Sequence, residues 1–130
     1  MPGEPILVVD DNPANVKLLR MLLGDAGYEV REAADAEQAL AVLQDFRPRL
    51  ILMDVRLPGV DGLELTRRLK ASPDTRDTII VGVTACAAEG DAERVLAAGC
   101  DGYVTKPIDT RELPRFVASL MSGRELGRDE

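Results

Sequence analysis

The apolar positions along the chain change their period repeatedly, and each change marks an element. Ile6-Leu7-Val8-Val9, Leu50-Ile51-Leu52-Met53 and Thr78-Ile79-Ile80-Val81-Gly82-Val83 are short, nearly unbroken apolar runs. Runs of this length, bounded by proline or polar residues, read as strands buried on both faces. Tyr28 to Ala33 alternates polar and apolar, as an edge strand does, and Gly102-Tyr103-Val104-Thr105 is a short last strand. Between the strands the apolar residues fall at helical spacing. Leu18, Leu19, Leu22, Leu23 and Ala26 form one stripe behind Pro13, whose missing N–H suits a first helical turn, and Gly27 closes it. Asp35 with Gln38, and Asp61 with Glu64, read as caps of the next two helices. Ala39, Leu40 and Leu43 point inward in the first of these, Leu65 and Leu69 in the second, and Ser72-Pro73-Asp74 is a turn.

A fourth helix, from about Ala88 to Ala98, carries a thin stripe of Ala92, Val95 and Leu96 and has Gly90 near its start. It is expected to be the least firmly held, with Gly99 ending it. Asp109 and Glu112 cap the last helix, whose Leu113, Phe116, Val117, Leu120 and Met121 share a face. Pro114 conflicts with that helix, where it should remove a hydrogen bond unless the helix starts later. Five strand–helix repeats imply an α/β fold, a doubly wound five-stranded parallel sheet with right-handed crossovers. Residues 1–122 read as one domain and 123–130 as a polar, frayed tail.

Composition narrows the function by exclusion. The net charge of −7 opposes binding to a nucleic acid backbone. No apolar run approaches spanning length and the N-terminus lacks a signal peptide's basic and apolar regions, so no membrane insertion is expected. Cys86 and Cys100 fit no metal-ligand spacing and no disulfide framework, so a reducing cytoplasm is the expected compartment. The chain contains no histidine, which removes Ser-His-Asp and Cys-His catalysis and imidazole metal sites.

What remains is at the strand ends. The three apolar runs lead into Asp10-Asp11, Asp54 and Thr84, and the last strand leads into Lys106. In a parallel sheet these positions meet on one rim, where open α/β sheets place their sites. Singly, Asp11 reads as a helix cap, Thr84 as a strand residue and Lys106 as a surface charge; together they read as a site. Three carboxylates repel unless a cation holds them ionised, and an all-oxygen set suits Mg²⁺. Lys106 and the Thr84 hydroxyl suit the oxygens of a phosphoryl group transferred to a carboxylate.

Asp10-Asp11, Leu52-Met53-Asp54 with Pro58-Gly59, Thr84-Ala85 and Lys106-Pro107 resemble the motif set of response-regulator receiver domains, over roughly Pro5 to Met121. The resemblance implies a flavodoxin-like (βα)5 fold of strand order 2-1-3-4-5. It implies Asp54 as phosphoacceptor, Asp10 and Asp11 as Mg²⁺ ligands, and the Arg56 carbonyl completing the metal site. It further implies Lys106 as the phosphoryl's partner, a cis Lys106–Pro107 bond, and Thr84 and Tyr103 as a switch pair. Arg56 and Cys86 stand where residues tune the lifetime of the phosphoryl group, though Cys86 reads equally well as an inert small residue.

Such a domain takes its phosphoryl from a partner, a histidine kinase or histidine phosphotransfer protein, and passes the signal to a downstream target by protein contact. Asn15, with Val16 and Leu18, and Ile108 after Pro107 are expected to dock the donor; the fourth helix, last strand and last helix are the expected output face. Val83-Thr84-Ala85, Gly90-Asp91, Gly99-Cys100 and Lys106-Pro107-Ile108 are similar to DivK-like single-domain regulators, although receivers fused to sensor kinases or diguanylate cyclases read much the same. Two other readings stay open. Haloacid-dehalogenase-like phosphatases also use a strand-end Asp with Mg²⁺, but place a second Asp two residues on, where this chain has Asn12 and Arg56. A receiver that only docks would not need the full set of acids, Thr84 and Lys106. The expectation is a switch that is phosphorylated, not an enzyme that turns over.

Overall fold

The apolar runs are strands and the striped segments are helices. In chain order they are β1 (Pro5–Val9), α1 (Pro13–Asp25), β2 (Glu29–Ala33), α2 (Ala36–Val42), β3 (Leu50–Asp54), α3 (Gly62–Ala71), β4 (Ile79–Thr84), α4 (Asp91–Ala97), β5 (Gly102–Thr105) and α5 (Glu112–Glu125). This computed structural model describes residues 3–56, 62–84, 91–106 and 108–125. The sheet runs β2-β1-β3-β4-β5 with every neighbouring pair parallel, the flavodoxin-like order that the resemblance implied.

Strand alternation divides the core in two. Ile6, Val8, Leu50, Leu52, Ile79, Val81 and Val83 pack under Val16, Leu19 and Leu23 of α1 and Leu113, Val117 and Met121 of α5. Leu7, Val9, Ile51, Met53 and Ile80 pack under α2, α3 and Val95 of α4. Full burial of each such aliphatic side chain contributes about 1.5–3 kcal/mol, so the central strands fix the molecule.

The caps refine the sequence reading. Asn12 caps α1, its Oδ1 accepting from the N–H groups of Ala14 and Asn15 at 2.9 and 3.4 Å. Asp35 accepts from Gln38 N–H at 2.8 Å as expected, but Gln38 reaches back to Ala34 N–H rather than to that of Asp35. Asp109 Oδ1 accepts from Arg111 and Glu112 N–H at 2.9 and 3.0 Å, and the helix proper starts at Glu112. Leu113 N–H already donates to Asp109 O at 3.0 Å, so Pro114 sits one residue past the free first turn and interrupts the ladder there, as the sequence suggested. α5 continues to Glu125, into the stretch expected as tail. Gly27 and Gly99 have φ of 100° and 112°, the left-handed conformation expected after α1 and α4.

Several apolar residues face water against expectation. Ala26 is exposed because it is the C-cap of α1, past the last sheet-facing turn; at the other end of the helix Val16 joins Leu19 and Leu23 in the core. Leu40 and Leu96 are 38% and 48% exposed. α2 and α4 have seven residues each, enough for only one buried line. That line is Ala36, Ala39 and Leu43 in the first case and Val95 and Ala98 in the second; Leu40 sits at the margin of its line, about 40° beyond Ala36, and Leu96 well off its own, about 100° from Val95. Ala88 and Gly90, expected in the fourth helix, and Asp61, expected as a cap, lie outside the described residues, as does the side chain of Ala92.

Two contacts seat α4. Gly82, opposite Tyr103 in the sheet, lets the helix approach the strand closely: a Cβ there would lie 2.7 Å from Val95 Cγ1, 3.5 Å from Cys100 Sγ and 3.7 Å from Val55 Cγ2. Cys100 is buried packing, as its sequence position suggested. Beyond the C-terminal end of α4, Lys70 Nζ donates to the carbonyls of Arg76 and Thr78 and to Asp101 Oδ2, at 3.2, 2.7 and 3.0 Å. Asp101 Oδ2 also accepts Ile80 N–H at 2.9 Å.

Candidate functional site

Parallel pairing of β1, β3, β4 and β5 brings their carboxyl ends to one rim. Asp10 follows β1 and is tied to β2 by its N–H, which donates to Ala33 O at 3.0 Å. Asp54 is the last residue of β3, and Thr84 the last of β4, paired laterally with Thr105. One carboxylate oxygen each from Asp10, Asp11 and Asp54 lies within 4.8 Å of the others. Asp10 and Asp54 are buried, at 3% and 4% exposure, while Asp11 is open to water. Lys106 Nζ lies 3.6 Å from Asp54 Oδ2, an ion pair longer than a hydrogen bond. Its backbone N–H donates to Thr84 O at 2.8 Å, which carries the turn after β5 back onto the end of β4.

Asp54 Oδ1 accepts Arg56 N–H at 3.0 Å, leaving Oδ2 facing Lys106. Burial pushes the Asp54 carboxyl above its ordinary range; the Arg56 N–H pulls it back, the Asp10 charge raises it again, and Lys106 lowers it. Two buried carboxylates with one facing lysine are thus short of positive charge. The donor set fits Mg²⁺: all ligands are oxygen, and opposite ligands of such an ion stand about 4 Å apart, within reach of the observed spacing. Asp10, Asp11, Asp54 and the Arg56 carbonyl are the groups that would hold it.

Other expected residues are placed as follows. Tyr103 is half-buried and packs against the α2–α4 side of the core, two register pairs back from Thr84 and so on the same sheet face. Arg56 is exposed at the rim. Ile108 is half-buried against the α1–α5 core, and lines a hollow of about 630 Å³ with Tyr103, Asp109, Leu113 and Phe116. Val16 is core rather than rim surface, because it points into the sheet beside Leu19. Asn15 is half-buried, and its amide turns toward Asp10 Oδ2 at 3.4 Å. Cys86 and Pro107 lie outside the described residues.

Sequence reasoning missed the support beneath Asp10. Asn12 N–H donates to Asp10 Oδ1 at 2.9 Å while its side chain caps α1. The signal was present: an Asn directly before a proline that opens a helix is an N-cap by both side-chain chemistry and position. No helix among the described residues is long and apolar enough to cross a membrane.

Comparison with known proteins agrees with this geometry. The family model for the response regulator receiver domain matches residues 6–118. The polar-differentiation response regulator DivK of Brucella anthropi is 41% identical over 119 residues, which span 92% of this chain and 94% of DivK. The receiver domain of the sensor histidine kinase PA1611 of Pseudomonas aeruginosa PAO1, crystallised with a magnesium ion coordinated in its active site cleft, is 38% identical. It superposes with a TM-score of 0.84, covering 92% of this chain and 98% of that one. The chemotaxis response regulator CheY4 of Vibrio cholerae superposes with a TM-score of 0.85 at 29% identity, covering 91% and 98%. With the strand order, the rim of acids and the family match in agreement, this chain belongs to the response regulator receiver domains.

Proposed function

We propose that this protein is a cytoplasmic phosphorylation switch of a two-component or phosphorelay system, with Asp54 as its phosphoacceptor. The observation that carries the reading is the Asp54 carboxylate at the end of β3, with Asp10 and Asp11 within 4.8 Å and Lys106 at 3.6 Å. The donor is a phosphohistidine on a histidine kinase or histidine phosphotransfer protein. An Asp54 oxygen attacks phosphorus as the P–N bond breaks, and the electron pair of that bond stays on the donor imidazole. The product is an acyl phosphate. Bound Mg²⁺ supplies the charge that offsets the carboxylates and the phosphoryl oxygens. Lys106 pairs with one phosphoryl oxygen, and Arg56 N–H keeps Asp54 Oδ1 oriented so that Oδ2 faces the donor.

Thr84 reads the result. Its hydroxyl donates to a phosphoryl oxygen, and Tyr103 turns inward into the space that Thr84 vacates. The surface of α4, β5 and α5 then changes its affinity for a downstream protein, with no nucleic acid and no turnover of a small substrate involved. A differential of about 3 kcal/mol between the two states moves the equilibrium more than a hundredfold.

The test is direct. Acetyl phosphate or a phosphorylated histidine kinase, with Mg²⁺, adds one base-labile phosphoryl that intact-mass measurement detects. Asp54→Asn abolishes it and Asp11→Asn slows it; labelling unchanged in Asp54→Asn overturns the assignment. Thr84→Ala still accepts the phosphoryl but loses phosphorylation-dependent binding of its target. Tyr103 changes rotamer between the free and beryllofluoride-bound forms.

A further inference from the structure

We infer that Asn15 is a positioning residue for the Asp10 carboxylate, holding it in the orientation in which it serves a divalent cation. The inference rests on the reading of Asp10 as a metal ligand. Asp10 is almost wholly buried, and each of its oxygens meets one donor: Asn12 N–H on Oδ1 at 2.9 Å and the Asn15 amide on Oδ2 at 3.4 Å. Both donors come from the start of α1. The Asn12 side chain binds the N–H groups of Ala14 and Asn15, so cap, helix and carboxylate form one hydrogen-bonded unit.

The terminal torsion of an Asp side chain is soft, and repulsion from Asp11 and Asp54 would swing the Asp10 carboxylate away from them. Two donors on opposite oxygens oppose that swing. An amide suits the role better than a lysine, because it supplies a hydrogen without a charge that would compete with the cation. Each carboxylate oxygen has two lone pairs, so one amide hydrogen leaves the second free for a metal. Groups supporting metal ligands typically alter affinity 10–100-fold, and the length of this contact puts Asn15 at the lower end.

Calorimetric titration of the full chain with MgCl₂ tests this. Asn15→Ala, a change toward a better helix former, is expected to weaken Mg²⁺ binding about tenfold. Asn15→Leu, close in size but without a donor, is expected to do the same. The Mg²⁺ concentration giving half-maximal labelling by acetyl phosphate should rise by the same factor, and excess Mg²⁺ should restore the rate. A purely structural loss would lower the rate at all Mg²⁺ concentrations, and that result overturns the inference. So does unchanged Mg²⁺ affinity in both variants. Slower transfer from a phosphohistidine donor at unchanged Mg²⁺ affinity would instead make Asn15 a docking residue. No Mg²⁺ binding by the unsubstituted chain would overturn the metal reading itself, and is seen before any variant is made.

Discussion

The two faces of the sheet are built differently. One is covered by α1 and α5, helices of 13 and 14 residues whose buried lines, Val16 to Leu23 and Leu113 to Met121, each run about two turns along the strands. The other is covered by α2, α3 and α4, of seven, ten and seven residues. Asp54 follows Leu50 and Leu52 in alternation and so belongs to the first face, while Thr84 follows Ile80 and Gly82 on the second. The proposed acceptor, Asp54, is anchored under the longer helices. The hydroxyl proposed to sense it lies where a glycine replaces a side chain and a two-turn helix supplies the cover. On the proposed function, rigid support for chemistry and low-cost movement for its readout would be divided between opposite sides of one sheet.

The sharpest test of that first face is Leu52→Ala, which removes a side chain 1% exposed between α1 and α5. It should cost about 2–5 kcal/mol in urea unfolding. A loss below 1 kcal/mol would mean that this face is no better packed than the other. Its polar end is tested by Mg²⁺, which at a hundredfold excess over its dissociation constant should stabilise the protein by about 2.7 kcal/mol. Without metal, the raised Asp54 carboxyl binds its proton more tightly folded than unfolded. Stability therefore falls as pH rises from the unfolded value, about 3.9, through the folded one, and stays lowered at neutral pH. Asp54→Asn should melt higher than the unsubstituted chain at pH 7 in EDTA, with the gap closing near pH 3. Melting curves across that range check the sign.

Much of this division was legible before any coordinates. Asp10, Asp11, Asp54, Thr84 and Lys106 stand out because each ends an apolar run, and parallel pairing turns a shared position in the strand into a shared place in space. Gly82 within such a run carried its own signal, a close approach of something to the backbone, but its sequence does not say that the visitor is Val95. Leu40 and Leu96 misled because apolar spacing reports which residues are able to face a core, while the length of the element decides how many do. The contacts of Asn15 and Lys70 were beyond sequence reading: each bonds a group whose orientation is set by the fold, Asp10 at the rim and Asp101 beside the start of β4.

The weaker face yields two smaller tests. Gly82→Ala puts a methyl 2.7 Å from Val95 Cγ1 and should cost about 1–3 kcal/mol by forcing α4 outward. Val95→Ala in the same chain should recover part of that, so the double-mutant cycle reads the contact itself. Additive costs would show that α4 does not rest on Gly82. Leu96→Ala, at 48% exposure, should change stability by no more than about 0.5 kcal/mol in the same urea assay. A larger loss would mean that Leu96 is covered in solution.

The Lys70 cluster gives α4 a pivot. Lys70 grips the carbonyls of Arg76 and Thr78 together with Asp101, and Gly99 lies against the stem of the same lysine. The trailing end of α4 is thereby riveted to α3 and to the foot of β4, far from the acids. A helix fixed at its far end swings rather than slides, and displacement grows with distance from the rivet. The turn nearest Asp54 would then travel furthest for the least disruption of packing, so the segment best placed to feel the proposed phosphoryl group would also have the longest lever arm.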